Sequence, residues 1–254
     1  MKLVISENFE SSRKEILDLL NHFDGKGEQF GPGLRNTIKL FELQGMRVNI
    51  KAFRIPNPIN KVAYRFLRKS KAERSFNYAL KLLEKGIGTP RPVAYAEETS
   101  PVSFNRSFYV SEHLPYDLTY RELVNDTAFP QHEEILRAFT RFTYELHEKQ
   151  VQFLDHSPGN TLIQLNNGDF KFFLVDLNRM NFKPLTFEER MQNFSRLTCK
   201  REMVRTMASE YARLTGKPEA EVFEKMWSYT VEFQKTFRRK KKLKKKLKFW
   251  RKQT

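Results

Sequence analysis

The 254-residue chain has a single cysteine, Cys199, so it can close no disulfide within itself, and a reducing compartment is expected. It also lacks any apolar stretch near the roughly 20 residues needed to cross a bilayer. Met1 to Asn8 carries only a short apolar run, so no secretory signal is expected and the protein should be made and kept in the cytosol. Acidic residues are in short supply, 30 Asp and Glu against 46 Lys and Arg, for a formal charge of +16. The deficit is local: Lys235 to Lys252 holds twelve Lys or Arg and no acid, which leaves about +4 for everything else. Disorder is excluded for most of the length, because 39% hydrophobic and 13% aromatic residues supply enough apolar surface for a sizeable core.

What is present is organised around Val151 to Met180. A short apolar run, Val151 to Leu154, leads into a polar loop, Asp155 to Asn160. Two further apolar runs, Thr161 to Leu165 and Phe170 to Val175, flank Asn166-Asn167-Gly168, and an Asn-Gly pair between such runs is a strong hairpin signal. The expected hairpin presents Asp155, Asn160 and Asp176 near one another. Two carboxylates and an amide oxygen are hard ligands of the kind that suits Mg²⁺, whose shell is completed by water and substrate phosphates. A plain turn rich in Asp, Ser, Pro, Gly and Asn is the alternative.

Upstream, Lys2 to Ile5 reads as a strand. Ser12-Arg13-Lys14-Glu15 reads as a capping box opening a helix with Ile16, Leu19, Leu20 and Phe23 on its apolar side. Glu28 to Ile55 turns to strands: one before Gly31-Pro32-Gly33, a second over Thr37 to Leu43, a turn at Gln44-Gly45, and a third over Arg47 to Phe53. In that third strand Val48 and Ile50 share one face, Asn49 and Lys51 the other. Ser70 to Glu73 starts a helix with Ala72, Phe76, Ala79, Leu80 and Leu83 at helical spacing, ended by Gly86 and Gly88. Strands follow at Val93 to Ala96 and Arg106 to Ser111, then a break at Glu112-His113-Leu114-Pro115. A long amphipathic helix is expected from about Gln131 to Lys149.

After Asp176 the chain reaches another capping box, Thr186 to Glu189, and then helices over about 201–214 and 218–237. Arg179, Lys183, Arg190 and Arg196 would offer positive charge to an anionic acceptor, plain surface charge being the default. In the basic tail Leu243, Leu247 and Trp250 fall on one side of a helix, continuing from Phe233. Such a helix fits an anionic membrane surface; nucleic-acid phosphate is the rival ligand, and a solubilising tail is a third reading.

Asp-x-x-x-x-Asn, a hairpin and a second Asp at a strand end resemble the catalytic loop and metal site of protein-kinase-like enzymes. Arg35 to Lys39, Tyr64 to Ser75, Asp155 to Asn160 and Val175 to Met180 together resemble the lipopolysaccharide kinases of the Kdo/WaaP type, over roughly residues 28 to 200. The resemblance implies an α+β, bilobal protein-kinase-like fold. An antiparallel-sheet lobe would span 1–111, a mainly helical lobe 112–235, and the basic tail 236–254. It implies ATP and Mg²⁺ as cofactors, with Asp155 as catalytic base and Asn160 and Asp176 on the metal. Lys51 would hold the nucleotide phosphates and be oriented by Glu73, although Ser70-x-x-Glu73 is itself a capping box. Gly31 and Gly33 would cover the phosphates, or form an ordinary turn, and adenine would pair with backbone around Glu112 to Leu114. Two departures stand out: Phe153 occupies the place of the usual His, and Leu177-Asn178 replaces Phe-Gly.

The implied activity is phosphorylation of a sugar hydroxyl, Kdo by expectation, on a lipid A precursor at the cytoplasmic face of the inner membrane. The acceptor and an anionic membrane are then the partners, and no nucleic acid is expected. A kinase for a soluble small molecule, a pseudokinase scaffold and a basic RNA-binding module are the competing readings.

Overall fold

A computed structural model describes residues 1–33, 36–55, 61, 64, 68–100, 103–166 and 168–250, with side chains described as far as 245. Arg35, Asn167, residues 65–67 of the Tyr64 to Ser75 stretch and the side chains of Leu247 and Trp250 lie outside the described residues. The chain divides into two compact units, residues 1–115 with 173–179, and residues 116–172 with 180–254.

The first unit is built on a six-stranded antiparallel sheet. Its strands are β1 (Lys2–Ile5), β2 (Glu28–Gln29), β3 (Thr37–Leu43), β4 (Met46–Phe53), β5 (Pro92–Thr99) and β6 (Phe104–Glu112), in the order β1-β5-β6-β4-β3-β2. Two helices serve it, α1 (Arg13–Asn21) and α2 (Lys71–Glu84). Strand periodicity sorts β4 between two cores: Val48, Ile50 and Ala52 pack with Ile16, Leu20 and Phe23, while Phe53 packs with Ala72, Phe76 and Tyr95. Each large side chain so buried contributes about 1.5–3 kcal/mol. Because β4 is paired on both sides, by β3 and β6, Lys51 sits on an interior strand and not on an edge.

Two local expectations fail here. Ser12 makes no side-chain cap, since it closes a 3₁₀ turn over Glu7–Ser12, and Glu15 instead accepts from the Gln44 N–H at 3.3 Å. That turn needs support: Gln44 has φ 50° and Gly45 φ 76°, the left-handed pair of a tight hairpin. In α2 the buried side is Ala72, Phe76, Ala79 and Leu82, leaving Leu80 and Leu83 exposed.

In the second unit β7 (Leu118–Thr119), β9 (Thr161–Asn166) and β10 (Asp169–Leu174) form one small sheet, in the order β10-β9-β7. The last two residues of β10 belong to the first unit. A second ribbon pairs β8 (Val151–Phe153) with β11 (Met180–Phe182). The helices are α3 (Tyr120–Asn125), α4 (His132–Glu148), α5 (Phe187–Asn193), α6 (Arg201–Thr215) and α7 (Glu219–Trp250). Capping boxes Thr119–Glu122 and Thr186–Glu189 are both fully formed. The core joins Phe139 and Ile135 of α4 to Met191, Phe194, Met207, Tyr211, Val222 and Met226. The basic tail is not a separate element: it continues α7, whose inner end is buried at Val222, Met226 and Thr230 and whose outer residues from Arg238 to Lys245 are exposed. Among the described residues no helix is long and apolar enough to cross a membrane.

Candidate active site

In the first unit the site begins with a helix stop. Gly86, at φ 65°, ends α2 in the left-handed conformation, and Ile87 N–H closes back on Leu82 O at 2.8 Å. The loop that follows grips the end of β10 from both sides: Leu174 N–H donates to Gly88 O at 2.9 Å, and Thr89 Oγ1 donates to Leu174 O at 2.8 Å. Two residues later Asp176 adopts φ 59°, a left-handed backbone that Asp tolerates better than most residues.

There Lys51 Nζ donates to Asp176 Oδ1 at 2.7 Å, and Asn178 Nδ2 donates to the same oxygen at 2.7 Å. Burial pushes the Asp176 carboxyl up. The Lys51 charge, the two hydrogen bonds and the Lys71 charge outweigh that and hold it below the ordinary carboxylate value. Both donors fall on Oδ1, so among the described residues Oδ2 carries no partner. Asn178, in the place of the usual Gly, thus orients the carboxylate, while Leu177 is buried.

Glu73 does not hold Lys51. Its backbone N–H is capped by Ser70 Oγ at 3.0 Å and its carboxylate pairs with Lys69 at 3.2 Å. Lys51 reaches Asp176 directly and has the centroid of the Phe53 ring 5.3 Å away. Gly31 (φ 77°) and Gly33 (φ 61°) follow β2, Phe30 N–H donates to Ile38 O across the turn, and Gln29 Nε2 donates to Gly31 O at 3.2 Å. Both glycines need positive φ, which favours Gly there. At the end of β6, Glu112 is held by Arg91 at 2.9 Å and His113 N–H by Arg47 O, whereas the backbone groups of Leu114 have no partner among the described residues.

In the second unit the loop after β8 is fixed through three successive carbonyls. Asn193 Nδ2 donates to Phe153 O at 2.8 Å, Arg196 Nη1 to Leu154 O at 3.0 Å, and Asn160 Nδ2 to Asp155 O at 2.8 Å. Arg196 Nη1 also donates to Asp155 Oδ1 at 2.8 Å, so Asp155 and Asn160, two of the three residues expected to meet, share one loop and Arg196 is added to them, while Asp176 belongs to the first unit. At Gly159 the Arg121 guanidinium comes close to the backbone, so a Cβ there would push that side chain aside. Phe153, fully buried, cannot make the hydrogen bond of the usual His; Asn193 anchors the strand in its stead, with His147 Nε2 3.2 Å from Asn193 Oδ1 and His147 Nδ1 2.9 Å from the Tyr211 hydroxyl. Burial pushes His147 down to about 4 and His156 down to about 3. His156 lies between the rings of Phe139 and Phe153 with neither nitrogen paired.

The charges expected to face an acceptor are largely spoken for. Lys183 pairs with Glu189, Arg190 with Glu148 at 2.5 Å, and Arg196 with Asp155. Asn193 and Arg196 were the site residues least visible in the sequence. Asn193 ends α5 and Arg196 lies in the turn three residues on, and nothing in that spacing names a carbonyl partner.

Residues 54–217 match the family model described as the lipopolysaccharide kinase (Kdo/WaaP) family. The chain belongs to that family. A 3-deoxy-D-manno-octulosonic acid kinase of Mannheimia succiniciproducens is 28% identical over 125 residues, 48% of this chain, and the match spans about half (50%) of that relative's length. A solved structure described as "WaaP in complex with acyl carrier protein" is similar with a TM-score of 0.64 and 18% identity, covering 93% of this chain and 98% of that one. The likeness establishes the fold: the α+β protein-kinase-like architecture expected from the sequence is the one found. Membership also accords with kinase chemistry, in which ATP is the phosphoryl donor.

The donor set fits Mg²⁺ on a nucleotide. No cluster of three or more His, Cys, Asp or Glu that could hold a metal occurs among the described residues. A kinase-type Mg²⁺ asks for less, one or two carboxylates with the rest of the shell from phosphate and water, and Asp176 Oδ2 is the unpartnered oxygen for it.

Proposed function

We propose that this chain transfers the γ-phosphoryl group of ATP to a sugar hydroxyl, Kdo, of a lipopolysaccharide inner-core or lipid A precursor. The observation that carries the reading is the Lys51–Asp176 pair: an interior-strand lysine on a strand-end carboxylate whose second oxygen is unpartnered. Family membership and the Kdo kinase relative support the acceptor class.

Lys51 has three N–H donors and gives one to Asp176, so it can keep that contact and take nucleotide phosphate with the others. Asp176 and Asn160 would hold Mg²⁺, which neutralises charge on the phosphates. Gly31 and Gly33 would lie over the phosphates, and the unpartnered backbone of Leu114, beside Glu112, would receive adenine. Asp155 accepts the hydroxyl proton as the sugar oxygen bonds to the γ-phosphorus. The bond from that phosphorus to the β–γ bridging oxygen breaks, and ADP leaves. Most of the acceleration comes from positioning and charge neutralisation. Glu73, paired with Lys69, acts in this scheme as part of a helix start.

The exposed basic end of α7 would hold the protein against anionic lipid at the cytoplasmic face of the inner membrane, bringing the site to a lipid-linked acceptor. Mass spectrometry of a Kdo-containing lipid A precursor after incubation with ATP and Mg²⁺ tests the reading. Gain of one phosphate that disappears with Asp155→Asn is expected. An unmodified lipid, or phosphorylation undiminished by that change, would overturn it.

A further inference from the structure

Arg196, one of the expected acceptor-facing cations, ends on the base itself. A single nitrogen, Nη1, serves both Leu154 O at 3.0 Å and Asp155 Oδ1 at 2.8 Å, so the guanidinium ties the carboxylate to the backbone of its own loop. It lies over an aromatic ring: the guanidinium carbon is 5.5 Å from the centroid of Phe233 on α7. Phe233 in turn stacks on Phe237, at 6.1 Å and 23° between planes. Arg196 Nε is buried without a partner, which costs free energy that a purely stabilising residue would not incur. A guanidinium can hold both oxygens through Nη1 and still present a flat, always-charged face to a ring; a lysine would keep the charge and lose that face.

We propose that Arg196 is a positioning residue for Asp155 and that Phe233 sets it in place, so that the rate of phosphoryl transfer depends on how α7 is seated. This rests on the kinase reading of Asp155. It makes α7 more than a carrier of surface charge, since the helix that ends in the basic segment also backs the arginine that aims the base. The device is local to the second unit and needs no nucleotide to be assembled.

The test is steady-state kinetics of the full chain with ATP, Mg²⁺ and the Kdo-containing lipid, for Arg196→Gln, Arg196→Lys, Phe233→Leu and the double variant. Melting curves check that each one folds. Misaiming a catalytic group costs on the order of 10²-fold. Arg196→Gln should therefore lower kcat by about 10²-fold with the KM for ATP changed less than about twofold, and Arg196→Lys should recover part of the loss. Phe233→Leu should lower kcat by about 5- to 10-fold, and the double variant should be no worse than Arg196→Gln, because the two act in series. Arg205, which stacks on Phe223 at 4.9 Å without touching the Asp155 loop, is the matched control, and Arg205→Gln should leave kcat within about twofold. An Arg196→Gln enzyme with wild-type kcat, or multiplying losses in the double variant, overturns the proposal while the kinase reading stands. A wild-type chain that transfers no phosphate overturns both.

Discussion

Lys51 Nζ stands 2.7 Å from Asp176 Oδ1, a contact between residues 125 positions apart that is closed inside the first unit by the grip of Gly88 and Thr89 on Leu174. Lys51→Met removes the phosphate-binding charge and one donor to Asp176. It should reduce kcat/KM for ATP by roughly 10²- to 10³-fold, as losing one electrostatic donor does in other active sites. Titration with a fluorescent ATP analogue and initial-rate kinetics check this.

Asp176 sits at φ 59°, so the choice of replacement matters. Asn and Gly accept that backbone and Ala does not. Asp176→Asn should keep the wild-type melting temperature within a few degrees while abolishing turnover, whereas Asp176→Ala should also lower the melting temperature. Calorimetry of the two variants separates strain from chemistry.

Two buried histidines make the protein acid-sensitive in a defined window. Folded His156 titrates at about 3 and His147 at about 4, both below the unfolded value of 6.5, so the unfolded chain binds more protons as pH falls. Their contribution is intact above pH 6.5 and is lost below it, at about 1.4 kcal/mol per pH unit for each residue until its folded value is reached. His156 has no partner to lose, so His156→Leu should leave stability at pH 7.5 unchanged or slightly raised and should flatten the decline between pH 6.5 and 4. Urea melts across that range measure the slope.

Glu210 is nearly fully buried and receives Arg213 at 2.7 Å, Arg141 at 3.0 Å and Arg137 at 3.5 Å, joining α4 to α6. Burial pushes its carboxyl up, and the hydrogen bonds from Arg213 and Arg141 more than reverse that. Glu210→Ala leaves three guanidinium groups together without their counter-charge and should cost about 1–3 kcal/mol, with kcat unaffected. Thermal denaturation and an activity assay on the same sample give both numbers.

The outer part of α7 carries Lys240, Lys241, Lys242, Lys244 and Lys245 in exposed positions around Leu243. Changing these five lysines to Gln should weaken binding to phosphatidylglycerol vesicles by roughly 10²-fold or more, at about 1 kcal/mol per residue near the surface. Transfer to a detergent-dispersed acceptor should be unchanged, because Phe233 is retained. Vesicle co-sedimentation at two salt concentrations is the check, with binding falling as salt rises.

How much of this was legible in the sequence follows from the range of each interaction. The face of β4 that carries Lys51 is set by a period of two and could be read directly, as could the neighbouring strands β9 and β10 and the Thr186–Glu189 capping box. Ser12 looked like the same kind of cap, yet a 3₁₀ turn took its place and Glu15 turned to the Gln44 turn. Glu73 was misread because one residue satisfied two patterns, and Lys69, four positions earlier, was near enough to take the carboxylate. The bracing of the Asp155 loop was hidden, since Asn193 and Arg196 act on backbone carbonyls some forty residues away, and no side-chain pattern encodes a carbonyl as a partner. The tail read as an appendage because its composition changes sharply at Lys235, while the helical period runs through that boundary unbroken.

The most direct test of the central claim is transfer of label from γ-³²P-ATP to Kdo-bearing lipid A precursor, comparing wild type with Asp176→Asn and with a lipid lacking Kdo. Magnesium-dependent label on the Kdo lipid alone, lost in the variant, is the predicted result. Label on both lipids alike, or equal transfer by wild type and Asp176→Asn, would contradict it.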